Sequence, residues 1–230
     1  MGLPSPIYHS GKRNRPQVKI CGLTDVQQAL ACAAAGADAI GYVFYPKSPR
    51  FISEEKARAI SLALPEGITP VGVFVNMPFS DIMQKVKRCF LKAVQLHGQE
   101  SPELVNRLRE ENLLVIKALF TGGSPSFKEV CNYNAGGYLL ECAGGNLPGG
   151  NALEWNWEDA QSLGRSYPII LAGGLCPDNI SRAIIGANPD AVDVSSGVES
   201  RPGIKDIAKV KAFMTGVCRL SPGKKLRKIF

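Results

Sequence analysis

Cys21 closes the segment Gln17-Val-Lys-Ile-Cys-Gly-Leu-Thr24. Once ionised, a cysteine thiol can act as a proton base or a nucleophile. Val18 and Ile20 alternate with Lys19 and Cys21, the period of two that marks a strand, and Gly22 ends the run. Thr24 and Asp25 then offer caps to a helical run over 26–35. The thiol thus stands at the carboxyl end of a strand, where parallel α/β folds build their sites. Glu141 ends a second apolar run, 137–141. A thiolate and a carboxylic acid facing each other across a pocket form a base–acid pair. Each also has a plainer reading: Cys21 as a small buried hydrophobe, Glu141 as half of a surface ion pair. On the residues alone both readings stay open.

The elements that must carry these groups repeat evenly. After the first segment, strands are expected at 39–44, 70–75, 93–97, 113–119, 137–141, 168–172 and 190–194. Helices are expected over 26–35, 53–64, 80–90, 102–111, 126–132, 157–163, 178–186 and 204–216. Ser53 and Ser101 supply N-caps, and Pro177 sits where a first-turn proline is favoured. Near-continuous apolar strands are buried on both faces, as in a parallel sheet wrapped by helices. Eight such units in 230 residues predict one domain, a (β/α)8 TIM barrel over 17–216, close to the ~250 residues such barrels use. Residues 1–16 read as a flexible leader and 217–230 as a basic C-terminal tail. An open doubly wound sheet is the alternative, but it rarely uses eight evenly spaced units.

A barrel places its site at the strand carboxyl ends. Those ends hold Cys21, the loop to Arg50, Asn76, His97, Lys117, Glu141, Gly173-Gly174 and Ser195-Ser196-Gly197. The small-residue turns after strands seven and eight predict a phosphate site formed by backbone N–H groups near helix starts. Alternation also puts Lys19 and Asp193 on the inward faces of strands one and eight, neighbours in a closed barrel. A buried lysine needs a partner, so a Lys19–Asp193 ion pair is expected beneath the site. Its ammonium would help to lower the Cys21 pKa toward working pH.

Composition narrows the classes. The chain has 45% hydrophobic residues but no apolar run near the ~20 of a membrane span. Residues 1–16 lack the apolar stretch of a signal peptide, which reads as a cytoplasmic protein. Seven scattered cysteines without a C-x-x-C pair argue against a disulfide framework or zinc site, and two histidines leave little for a His-based metal site. The +7 charge is partly local, with Lys224, Lys225, Arg227 and Lys228 in the last seven residues. No aromatic–basic interleaving accompanies them, so a solvated tail is expected rather than a nucleic-acid arm. A basic balance also suits anionic small-molecule substrates.

Several stretches together resemble the phosphoribosylanthranilate isomerase family of tryptophan biosynthesis. They are Val18-Lys-Ile-Cys-Gly-Leu-Thr24, Gly41-Tyr-Val-Phe-Tyr-Pro-Lys-Ser-Pro-Arg-Phe-Ile-Ser53 and Val71-Gly-Val-Phe-Val-Asn76. Gln95-Leu-His-Gly98, Leu171-Ala-Gly-Gly-Leu175 and Asp193-Val-Ser-Ser-Gly-Val-Glu199 continue them in family order. The resemblance implies a (β/α)8 barrel without organic cofactor or metal. It also implies an Amadori rearrangement of N-(5′-phosphoribosyl)anthranilate to 1-(2-carboxyphenylamino)-1-deoxyribulose 5-phosphate. It makes Cys21 the general base and puts the general acid at position 141. Arg50 would lie near the anthranilate end, His97 would line the mouth, and the Gly173-Gly174 and Ser196-Gly197 turns would hold phosphate. The implied partner is the small-molecule substrate alone, with neither nucleic acid nor membrane, in a monomer or homodimer.

Departures from the family pattern fall together. The family acid is an aspartate, and here Leu139-Leu-Glu141 carries glutamate. The loop that follows has Ala152 where the family has glycine and Asn156 where it has aspartate. Glutamate brings the same acid on one more methylene, so the chemistry survives if the pocket recedes by about 1 Å. A catalytically silent phosphate-binding barrel, serving as a regulator or partner protein, is the competing reading. Another phosphoribosyl isomerase ranks lower, because the histidine-pathway enzyme wants aspartate where this chain has Cys21.

Overall fold

The computed structural model describes residues 15–144, 154–220 and 223–230. Eight parallel strands pair in sequence order and close on themselves: β1 (Gln17–Cys21), β2 (Ala39–Val43), β3 (Thr69–Phe74), β4 (Ala93–Leu96), β5 (Leu114–Thr121), β6 (Gly137–Cys142), β7 (Ile169–Leu171) and β8 (Ala191–Val194). The expected (β/α)8 barrel is therefore the fold. Around it run α1 (Val26–Ala34), α2 (Glu54–Ala63), α3 (Phe79–Cys89), α4 (Pro102–Glu110), α5 (Asp159–Ser166), α6 (Ile180–Ala187) and α7 (Ile207–Cys218). A 3-10 helix, Phe127–Asn132, occupies the place of the helix after β5.

Local chemistry explains most of the boundaries. The Asp25 carboxylate accepts from the Gln28 amide to start α1, while the Thr24 hydroxyl donates to the Gly203 carbonyl. Ser53 and Ser101 cap α2 and α4 by accepting from Lys56 and Leu104. Pro177 lies three residues ahead of α6 rather than in its first turn; the Asn179 carboxamide accepts from the Cys176 amide there and forms the lead-in.

Strand alternation separates two layers. Val18, Ile20, Val192 and Val194 face the helices, while Ala39, Val71, Ala93, Ile116, Leu139, Ile170 and Ala191 fill the barrel interior. β1 and β8 are in register with Lys19 opposite Asp193.

Three expectations are corrected. The last helix begins at Ile207 under an Asp206 cap, not at 204, because β9 (Glu199–Arg201) and β10 (Ile204–Lys205) first form a short antiparallel pair. Arg15, read as part of a flexible leader, is anchored by an ion pair with Asp38 at 2.9 Å and a bond to the Gly36 carbonyl; residues 1–14 lie outside the described residues. The basic tail is not simply solvated. Ile229 and Phe230 are buried with the interior layer at the strand amino ends, held by the Gln17 side chain, which accepts from both their amides and donates to the Phe230 carbonyl. Arg227 donates to the Gly164, Arg165 and Tyr167 carbonyls and pairs with Asp190, using its charge within the fold.

Candidate active site

The strand carboxyl ends surround an open mouth. Cys21, Arg50, His97, Glu141, Gly173, Gly174, Asp193 and Ser196 all line it, with Gln95 and Ser195 between them. Asn76 and Lys117 do not line it. Asn76, at a positive φ of 50°, accepts from the Gln99 amide and shapes the turn after β4. Lys117 is buried to one side, its ammonium 2.7 Å from Glu100 and donating to the Gly98 carbonyl.

Gly41 creates the space for Cys21. A Cβ at that position would stand 2.8 Å from the Cys21 sulfur and 3.0 Å from Lys19 Cε. Beneath the thiol, Lys19 Nζ lies 2.8 Å from Asp193 Oδ2, and the lysine side chain is wholly buried. Burial acts to lower the Lys19 pKa, but Asp193 and Cys21 outweigh it and hold the ammonium above its ordinary value. For Cys21 the balance falls the other way from the sequence reading. Lys19 does favour the thiolate, but burial, helped by the Asp193 charge, pushes the thiol above its ordinary value. The expected net lowering is corrected: the net effect of these surroundings is to raise the Cys21 thiol above its ordinary value.

Glu141 stands across the mouth on β6. Its Oε2 is 3.3 Å from His97 Nε2, and Gln95 Nε2 lies 3.0 Å from His97 Nδ1. His97 thus stands between Gln95 and the carboxyl, with Nε2 satisfied by no hydrogen bond of its own among the described residues. Gly173, at φ 86°, lets the backbone pass close to the longer acid; a Cβ there would meet Glu141 Cγ at 3.3 Å and Trp155 Nε1 at 2.9 Å. Asn156 is turned to Asp159, its amide donating at 2.9 Å, and does not line the mouth, while Ala152 lies outside the described residues.

The turns after β7 and β8 touch each other. A Cβ on Gly197 would fall 1.9 Å from the Leu175 carbonyl oxygen, so only glycine allows this contact. Gly197 therefore packs the two turns together, and Gly173, Gly174 and Ser196 present themselves to the mouth. Two residues given no role in the sequence reading support Arg50 from behind. Glu199 accepts from Arg50 Nε at 2.9 Å and Nη2 at 2.7 Å, and Lys205 Nζ donates to Glu199 at 2.7 Å. Burial pushes the Glu199 carboxyl up, but these two cations hold it below the usual carboxylate range.

With that geometry in view, comparison with known proteins is decisive. The family model described as N-(5'phosphoribosyl)anthranilate (PRA) isomerase matches residues 18–216. The chain belongs to the phosphoribosylanthranilate isomerase family. A protein of that name from Desulfatibacillum aliphaticivorans is 50% identical over 214 residues, covering 93% of this chain and 98% of the relative. The crystal structure of phosphoribosyl anthranilate isomerase from Thermotoga maritima has a TM-score of 0.81 at 40% identity, covering 89% of this chain and 100% of that one. A further structure of the family enzyme, in complex with reduced 1-(o-carboxyphenylamino)-1-deoxyribulose 5-phosphate, has a TM-score of 0.78 at 39% identity. It covers 89% of this chain and all of its own. The phosphoribosylanthranilate isomerase framework thus extends over nearly all the described barrel.

Proposed function

We propose that the chain catalyses the Amadori rearrangement of N-(5′-phosphoribosyl)anthranilate, with Glu141 as general acid and Cys21 as general base. The observation that carries this reading is their placement on opposite walls of one mouth, together with Arg50 and the paired β7 and β8 turns. The substrate's phosphate would lie at Gly173, Gly174 and Ser196, and its carboxylate near Arg50.

In the first step the Glu141 carboxyl gives its proton to the furanose ring oxygen. The C1′–O bond breaks, and the anthranilate nitrogen lone pair forms a C1′=N iminium. His97, whose Nε2 lies 3.3 Å from Glu141 Oε2, is placed to stabilise the carboxylate that remains. The Cys21 thiolate then removes the C2′ proton, and the electrons of that C–H bond neutralise the iminium to an enolamine, which tautomerises to the 2′-ketone. A buried thiol is a weak base source on its own. The cationic iminium supplies the charge that, with Lys19, favours thiolate when it is needed. The sequence of charges matches the site: acid first, cation formed, base second.

The test is direct. Incubation with N-(5′-phosphoribosyl)anthranilate should discharge the substrate's fluorescence and yield the carboxyphenylamino-deoxyribulose phosphate by mass and absorbance. A purified, folded chain that binds the product analogue but never converts substrate would instead favour the silent binding barrel.

A further inference from the structure

Arg50, Glu199 and Lys205 form a buried cluster of two cations and one carboxylate, with side chains at most 10% exposed. Arg50 uses Nε and Nη2 on Glu199, so its Nη1 edge is not spent on that carboxylate. A Cβ on Gly22 would collide with Arg50 Cδ at 2.6 Å, so the guanidinium stem is threaded through a gap made for it. Lys205 itself does not line the mouth. It reaches Glu199, whose partner Arg50 lines the mouth, and Ser195, which lines it directly and whose carbonyl accepts from Nζ at 3.1 Å while its hydroxyl lies at 3.4 Å. The same Ser195 hydroxyl donates to the Cys21 carbonyl at 3.0 Å. The two cations carry one positive charge more than Glu199 neutralises, which suits a site for an anionic ligand.

We propose that Lys205 is a positioning residue that registers the two anion-binding ends of the site: through Glu199 it fixes Arg50, and through Ser195 it fixes the turn after β8. The proposal rests on the reading of Arg50 as the carboxylate end and Ser196 as part of the phosphate end. β9 and β10 exist, on this account, to bring Lys205 back under the mouth. Lys205→Met is the informative change, because Glu199 keeps Arg50 as its partner and no carboxylate is orphaned.

The experiment titrates the folded parent, Lys205→Met, Lys205→Arg and Ser195→Ala separately with inorganic phosphate and with anthranilate, followed by NMR shifts, and measures KM and kcat with substrate. Lys205→Met should weaken both fragments by about tenfold and raise KM more than it lowers kcat, with partial rescue in Lys205→Arg. Ser195→Ala keeps the carbonyl that accepts from Lys205 at 3.1 Å, so it should hold both fragments far better than Lys205→Met. Loss at one end only in Lys205→Met, or a Ser195→Ala loss as large as that of Lys205→Met, overturns the proposal. A parent that binds both fragments, with Lys205→Met unchanged, overturns it alone; a parent that binds neither overturns the site reading and the proposal with it.

Discussion

Gly41→Ala places one methyl group where the thiol now sits. The new Cβ would be 2.8 Å from Cys21 Sγ and 3.1 Å from Cys21 Cα. Ordinary van der Waals contact begins near 3.4 Å, so the sulfur must retreat by about 0.6 Å. The backbone atom cannot swing aside, since Cys21 is paired with Gly41 in the β1–β2 register. Overpacking of this kind costs about 1–3 kcal/mol of stability. For a base that must reach one C–H bond, a displacement approaching 1 Å costs up to about 10²-fold in rate. The expected result is a kcat lowered about 10- to 100-fold in a protein that remains folded, with KM changed much less because Arg50 and the phosphate turns are untouched. The assay is steady-state turnover beside a thermal melt. A Gly41→Ala protein with parental kcat would refute the claim that the thiol's position on β1 governs the reaction.

Four further outcomes follow from the structure. In the free chain, iodoacetamide should alkylate Cys21 only as pH rises above the ordinary thiol value of about 8.5, followed by peptide mapping. Lys19→Met should move that limb higher still, because it removes the cation and leaves the Asp193 charge; a downward shift would contradict the assignment. Glu100→Gln should cost about 3 kcal/mol or more in denaturant unfolding, since it strands the buried Lys117 ammonium; a loss below about 1 kcal/mol would show that the pair is not needed. Phe230→Ala should lower the melting temperature by removing a buried ring about 1.5–3 kcal/mol in value, while kcat stays parental, because it packs at the end of the barrel opposite the site. An unchanged melt would mean the tail only rests on the barrel.

Much of this was legible from alternation. Val18-Lys-Ile-Cys21 states which side chains face the helices and which face inward, and once the barrel closes, Lys19 must meet the strand bearing Asp193. What was not legible depends on three-dimensional competition. The direction of the Cys21 shift is a contest between burial and Lys19, and only the structure weighs them. Glu199 and Lys205 lie in a seven-residue stretch with Gly203 and too few apolar positions to announce β9 and β10, so their shared role was hidden. A signal existed in the charged Glu199 ending the Ser-Ser-Gly-Val run, since a carboxylate near an expected anion site demands a cation. For the tail, the four basic residues drew attention away from Ile229-Phe230, the apolar pair that decides where the segment goes. Lys117 was placed correctly on a strand, but its neighbour Glu100 diverts it from the mouth.

The most direct test of the account is kcat for Cys21→Ala and Glu141→Gln at saturating substrate, with binding of the product measured on the same proteins. Acid–base roles predict that each change lowers kcat by about 10²-fold or more, while both variants still bind product. If Glu141→Gln turned over at the parental rate while Cys21→Ala did not, the proton for ring opening would come from another group and the central assignment would fail.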